Sequence, residues 1–174
     1  MTIRKILTEP DLFLRQKSIK VDKVDDEIRS LMTDMLETMY DAPGIGLAAI
    51  QIGVPKRVIV IDLSRDDEKK NPLYFANPEI ITNSDKEAAY EEGCLSVPGQ
   101  FAEISRPDKC KVKYLDFDGN EKILDTEGLL ATCIQHEMDH LEGILFIDYL
   151  SKLKKNMIVK KLSKQKKSLE RIVV

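Results

Sequence analysis

The sequence predicts an α+β domain: a mostly antiparallel sheet accompanied by helices, one of them buried at the centre and one at the C-terminus. Three observations predict it. Residues 25–40 repeat apolar side chains at helical spacing, and residues 110–124 alternate apolar and charged residues around an Asp118-Gly119 turn. Residues 128–141 are apolar on most sides of a helical projection, which suits a helix enclosed by the rest of the chain.

The elements follow in order. Ile28, Leu31, Met32, Met35, Leu36 and Met39 form one helical face, Asp25, Asp26 and Glu27 put negative charge at its start, and Pro43-Gly44 ends it. Gly44-Ile-Gly-Leu-Ala-Ala-Ile-Gln-Ile-Gly53 is small and glycine-rich, so it reads as a tight turn or as backbone that lets another surface approach. Arg57–Asp62 is a run of mostly β-branched residues and reads as a buried strand. Leu73–Ala76, between two Asn/Pro corners, reads as a second, and Ile80-Ile81 as the start of a third. Residues 91–99 read as an irregular stretch ended by proline. Gly143 suits the position after the buried helix, and Asp148 suits the cap of a final helix whose apolar stripe is Leu150, Leu153, Met157, Ile158 and Leu162. That stripe weakens beyond Leu162, where fraying is expected.

At 174 residues and 19.8 kDa the chain has the length of one domain, read as a catalytic body over residues 1–150 and a basic helix or tail over 151–174. With 43% hydrophobic and 33% charged residues, collagen-like, coiled-coil and wholly disordered readings are unattractive. No apolar stretch reaches the length of a membrane span, and the first ten residues meet polar side chains too soon for a secretion signal. A cytoplasmic protein is expected. Cys94, Cys110 and Cys133 are odd in number and widely spaced, which suits reduced thiols better than a disulfide framework. Net charge is -3, yet nine Lys/Arg against Glu170 give residues 151–174 a charge of +8, leaving -11 on the body. The body should repel polyphosphate and the tail attract it.

The chemistry is concentrated in His136-Glu-Met-Asp-His140, which contains both histidines of the chain. Positions four apart stack on one helical face, so both imidazoles can address one ion with Glu137 beside it. A catalytic ion of this kind usually has three protein ligands and a position left for water. The metzincin extension fails because Phe146 stands where a third histidine would fall, and Glu142 and Glu170 are poorly placed as a downstream glutamate. Cys94 follows a glycine in the irregular stretch and suits a ligand presented by a loop or strand end. Cys133, three residues before His136, is its rival, and Cys110 alternates within a strand.

Gly44-Ile-Gly-Leu-Ala-Ala-Ile-Gln51, Glu92-Gly-Cys-Leu-Ser96 and Gln135-His-Glu-Met-Asp-His-Leu141 resemble the three signature segments of the bacterial peptide deformylases, in order. The resemblance spans nearly the whole chain. It implies an α+β fold with a mixed sheet around the motif helix, and Cys94, His136 and His140 as metal ligands. It further implies Glu137 as catalytic acid/base, Gln51 and the Leu95 backbone N–H at the oxyanion, and a methionine pocket lined by Cys133. Ile45 and Gly46 are candidates for the same pocket, Gly46 because it admits close approach of substrate backbone. The implied reaction is hydrolysis of the N-formyl group from the initiator methionine of nascent polypeptides, releasing formate. Water on the Cys/His/His-bound metal attacks the formyl carbon, with Glu137 taking and returning the proton. The implied ion is Fe2+, and the donor set also accepts Zn2+, Ni2+ or Co2+. The implied partners are formyl-methionyl nascent peptides and, through the basic C-terminal helix, the ribosome, with neither DNA nor membrane. A metallopeptidase cutting internal bonds competes on the histidine motif alone, and a structural metal module or a ribosome-binding protein with no turnover is an alternative of a different class. The peptidase lacks its downstream ligand, and the structural module lacks a fourth protein ligand.

Overall fold

A computed structural model of the chain describes residues 2–64 and 68–172. Helix α1 spans Asp26–Asp41, and Asp25 caps it by accepting from the Ile28 N–H at 3.1 Å. Strands β1 (Gly46–Ala48), β2 (Val58–Ile61), β3 (Leu73–Asn83), β6 (Lys109–Leu115) and β7 (Glu121–Glu127) form one sheet in the order β1-β2-β3-β6-β7. Strands β4 (Glu87–Cys94) and β5 (Val97–Pro107) form a separate hairpin sheet. Helix α2 runs Gly128–Leu141 and α3 runs Lys152–Ile172. All pairings between these strands are antiparallel, and an isolated parallel bridge joins Ile19 to Lys56.

The β-branched run of β2 is buried on both faces, which explains why it shows no polar alternation. Val58 and Val60 pack with Ile28, Met32, Met35 and Met39 of α1, whereas Ile59 and Ile61 pack with Ala131, Ile134 and Leu141 of α2. The sheet therefore lies between α1 and α2, with each fully buried aliphatic contributing about 1.5–3 kcal/mol. A third cluster joins Val97 and Ile104 of β5 to Phe146, Ile147 and Leu162, fixing α3 against the hairpin. Helix α2 touches both sheets, and this central placement is what buries its polar residues.

Several boundaries depart from the sequence reading. The two strands expected around the Asn77-Pro78 corner are one strand, β3, because Asn77 adopts φ +50° in a bulge between Ala76 and Glu79 that absorbs the extra residues. The glycine-rich stretch supplies an edge strand and a short 3-10 turn over Ala49–Ile52. The stretch over 91–99 is regular: Cys94 ends β4, and β5 begins three residues later. Asp148 accepts from the Leu145 N–H and so holds a 3-10 turn, while Ser151 Oγ faces the Lys154 N–H at the start of α3. The α3 stripe also divides. Ile158 and Leu162 pack inward, whereas Leu153 and Met157 are left exposed on another side, and the helix continues past Leu162 to Ile172. Gly143 takes φ +76° just after α2, where an added Cβ would collide with the Arg15 carbonyl.

Candidate metal centre

Helix α2 presents His136, Glu137 and His140 from its buried surface. The imidazoles stack one turn apart, with ring centroids 5.1 Å apart and an interplanar angle of 72°. The β4–β5 hairpin supplies the third group. An irregularity in register after Gly93 closes the hairpin at Cys94 and Val97 and brings Cys94 Sγ within 3.3 Å of His140 Nε2. Donor atoms of Cys94, His136 and His140 all lie within 4.8 Å of one another.

Backbone segments distant in sequence hold this cluster. The Leu7 N–H donates to the Gln51 carbonyl at 2.7 Å and the Glu9 N–H to the Ser96 carbonyl at 2.8 Å, so the N-terminal segment laces two walls of the site together. Gln51 Oε1 accepts from the Ala48 N–H at 2.8 Å, while its Nε2 donates to Ser96 Oγ at 3.0 Å and lies 3.5 Å from Cys94 Sγ. The amide is thus oriented with its nitrogen toward the sulfur.

Glu92 Oε2 lies 2.8 Å from His136 Nδ1, which leaves Nε2 of that ring for the cluster. Arg106 grips Glu92 through Nε at 2.6 Å and Nη2 at 3.0 Å, and reaches Asp139 through Nη1 at 2.8 Å. Burial works against the charge on Glu92, but His136 and Arg106 outweigh it and hold the carboxyl below its ordinary range. Sequence reasoning assigned no role to Glu92 or Arg106. The available signal was alternation: Ile104 and Arg106 share the buried side of β5, and a buried arginine requires a carboxylate partner.

Glu137 is 5% exposed, and burial first, then Glu92, pushes its carboxyl up to about 7. A Cβ at Gly46 would collide with Glu137 Oε1, so the glycine makes room for the carboxylate. Glu137 Oε2 and His140 Nδ1 are buried polar atoms without a hydrogen-bond partner. An unpartnered carboxylate oxygen beside one sulfur and two imidazoles would be costly in a dry interior, and the donor set fits a borderline-soft divalent cation.

A cavity of about 460 Å³ opens on the cluster. Of the other residues singled out in the sequence, Ile45, Gly46, Gln51, Leu95 and Cys133 line it, together with Cys94, His136 and Glu137. Burial pushes the Cys133 thiol up to about 12, so it meets the cavity as a neutral, apolar group. Cys110 lies elsewhere, in the sheet core with Thr126.

The sequence model of the polypeptide deformylase family matches residues 3–156. A peptide deformylase of Pelagibacter ubique is 66% identical over all 174 residues of both chains. One of Phenylobacterium zucineum is 61% identical over 97% of this chain and 99% of its own. Among solved structures, a peptide deformylase from Ehrlichia chaffeensis superimposes with a TM-score of 0.91 at 43% identity, covering 96% of this chain and 98% of the other.

Proposed function

The chain belongs to the polypeptide deformylase family, and we propose that Cys94, His136 and His140 hold its metal ion, Glu137 moves the proton, and Gln51 and Leu95 receive the developing oxyanion. It is a metal-dependent hydrolase that removes the N-formyl group from the initiator methionine of nascent polypeptides and releases formate. The observation that carries the assignment of residues is the convergence of a hairpin thiol with two imidazoles, one α2 turn apart, beside a buried carboxylate.

A divalent ion held by these ligands supplies Lewis acidity and makes water nucleophilic at neutral pH. Glu92, clamped by Arg106, fixes the ring orientation of His136. Glu137 accepts the proton of the attacking water at its carboxylate and later delivers it to the departing amine nitrogen as the formyl carbon–nitrogen bond breaks. Gln51 donates from the same nitrogen to Ser96 Oγ and toward Cys94 Sγ, so the N–H turned to the sulfur would pass to the formyl oxygen as charge develops there. Leu95, at the hairpin tip, would add its backbone N–H, each such donor being worth about 3 kcal/mol in the transition state. Ile45, Gly46 and Cys133 would form the methionine pocket, with Gly46 also admitting peptide backbone close to Glu137.

The ion we assign is ferrous iron, with zinc, nickel or cobalt able to take its place, because thiolate and imidazole donors accept all four. Elemental analysis after anaerobic isolation tests this, and a fully active zinc form free of iron would overturn it. We take residues 1–150 as the catalytic body and 151–174 as a basic helix or tail of the same domain, a reading supported by the packing of Leu162 with Phe146 and Ile147; residues 173 and 174 lie outside the described ones. No described helix is long and apolar enough to cross a membrane, and a cytoplasmic location follows from the nascent-chain substrate. The exposed lysines of α3 support ribosome binding through RNA phosphate. Replacing Lys160, Lys161 and Lys164 with Glu should lower ribosome affinity at low salt while sparing turnover of free peptides, since these side chains lie outside the packed face.

Formate release from formyl-Met-Ala-Ser, with metal analysis in parallel, tests the assignment. Glu137→Ala is expected to abolish turnover and keep its metal, whereas Cys94→Ser loses both. A Cys94→Ser variant with full metal content and activity would remove the thiol from the site.

A further inference from the structure

Among the described residues, five buried polar side chains line the cavity over the candidate metal centre: Gln51, Glu92, Thr132, His136 and Glu137. The site accounts for four of them and leaves Thr132 without a role. We propose that the Thr132 hydroxyl donates a hydrogen bond to the side chain of the formylated residue, so that the enzyme also deformylates chains whose first methionine has been oxidised to the sulfoxide. This rests on the hydrolase reading above and extends its substrates.

Thr132 is 4% exposed, and its hydroxyl differs from the other helical hydroxyls that are shielded from water. In α1, Thr33 Oγ1 donates to the Arg29 carbonyl at 2.9 Å and Thr38 Oγ1 to the Asp34 carbonyl at 2.6 Å, and in α3 Ser163 Oγ donates to the Val159 carbonyl at 2.8 Å. Each bonds back four residues, which satisfies a hydroxyl inside a helix. Thr132 makes no such bond to Gly128, and among the described residues its hydroxyl has no other partner. A buried hydroxyl with nothing to bond is costly, and this side chain meets the cavity, so its partner is what the cavity holds. Thr132 also lies one turn before His136 on the same face of α2, about 6 Å along the axis at about 1.5 Å per residue. That distance is comparable with the length of a methionine side chain whose formyl group sits at the metal centre.

Side-chain chemistry then sorts the substrates. A thioether is a weak acceptor and a methylene none, so methionine leaves the hydroxyl poorly paired and norleucine leaves it unpaired. Oxidation to the sulfoxide places a strong acceptor oxygen on the same side chain and makes the sulfur chiral. Against purely apolar walls that oxygen would lose its hydration without return, whereas beside Thr132 it gains a donor. A donor fixed on a helix meets the oxygen of one sulfoxide epimer in line and that of the other badly.

The test is kcat/KM for formate release from formyl-Met-Ala-Ser, its norleucine analogue and its two separated sulfoxide epimers. Wild type is expected to process one epimer within about tenfold of the thioether and the other about tenfold more slowly, the scale of one neutral hydrogen bond. Thr132→Val, which keeps the shape and loses the hydroxyl, should lower the ratio of the better epimer to norleucine about tenfold and bring the two epimers together, mostly through KM. Thr132→Ser, which keeps the hydroxyl, should keep the epimer preference. Equal rates for the epimers in wild type, loss of the preference in Thr132→Ser, or its survival in Thr132→Val overturns the assignment. Absence of formate from every formylated peptide would instead overturn the hydrolase reading, and the role of Thr132 with it.

Discussion

Arg106 is 4% exposed and neutralises two carboxylates, Glu92 and Asp139, while its guanidinium lies 5.0 Å from the Tyr149 ring centroid. Removing one member of such a buried group costs far more than the group contributes in net, because the remaining charge is left unpaired. Arg106→Met should therefore destabilise the protein by about 3–5 kcal/mol in denaturant titration, and metal should leave faster because His136 loses its fixed acceptor. An unchanged rate of metal loss would separate Arg106 from ligand positioning. Gly46 is the opposite case. Its added methyl would meet only the end of a side chain, so in Gly46→Ala the Glu137 carboxylate moves and the backbone stays. Turnover should fall by about 100-fold with metal content and circular dichroism unchanged, since a displacement of about 1 Å is costly to proton transfer and harmless to packing.

At the scale of elements, the bulge in β3 shows how a local device can be misread. Asn77 has φ +50°, its Oδ1 accepts from the Val21 N–H at 2.9 Å, and its Nδ2 donates to the Val21 carbonyl at 2.7 Å. Asn tolerates that backbone, and its amide replaces the strand partner that the bulge forfeits. Asn77→Ala should cost about 2–3 kcal/mol, from two lost hydrogen bonds and a strained backbone, and Asn77→Gly less, since it keeps the backbone free. Equal losses in thermal melts would place the whole effect in the hydrogen bonds. In sequence the same Asn-Pro pair looks like the end of a strand, because the compensating contact comes from Val21, 56 residues away. Helices were easier to read: α1 announces itself through periodicity and a cap that are local in sequence, and α2 through a mostly apolar run closed by Gly143. The same division runs through the site. His136, Glu137 and His140 share a helical turn and are legible from spacing, and the glycine before Cys94 hints at a strand end. Alternation on β5 marks Arg106 as inward-facing, but its partner Glu92 lies on the other strand of the hairpin, 14 residues away, so the pairing itself was not legible.

Over the whole molecule, acid should undo the fold by a calculable sign. Asp34, Asp62 and Asp148 are held below the ordinary carboxylate range. At each, burial opposes ionisation but is outweighed: by Arg4 and the Thr2 N–H at Asp34, by Ser64 and Tyr40 at Asp62, and by Lys155 and the Leu145 N–H at Asp148. A folded pKa below the unfolded one stabilises the native state above the unfolded value, and this stability is lost as pH falls through the folded value. The unfolded reference for Asp is 3.8, so stability from these three groups is level above about pH 5 and declines below it. The charge asymmetry adds to the decline. Protonating a body of charge -11 removes its attraction for the +8 segment at 151–174, which carries lysine and arginine charge throughout that range. The part of the melting temperature that these three groups control should therefore hold between about pH 6 and 8 and drop steadily between about pH 5 and 3. Asp62→Asn, which keeps the shape but cannot ionise, should be less stable than wild type at pH 7 and converge toward it at pH 3. A constant gap between the two across that range would mean that Asp62 acts through shape alone and that its charge contributes nothing to folding.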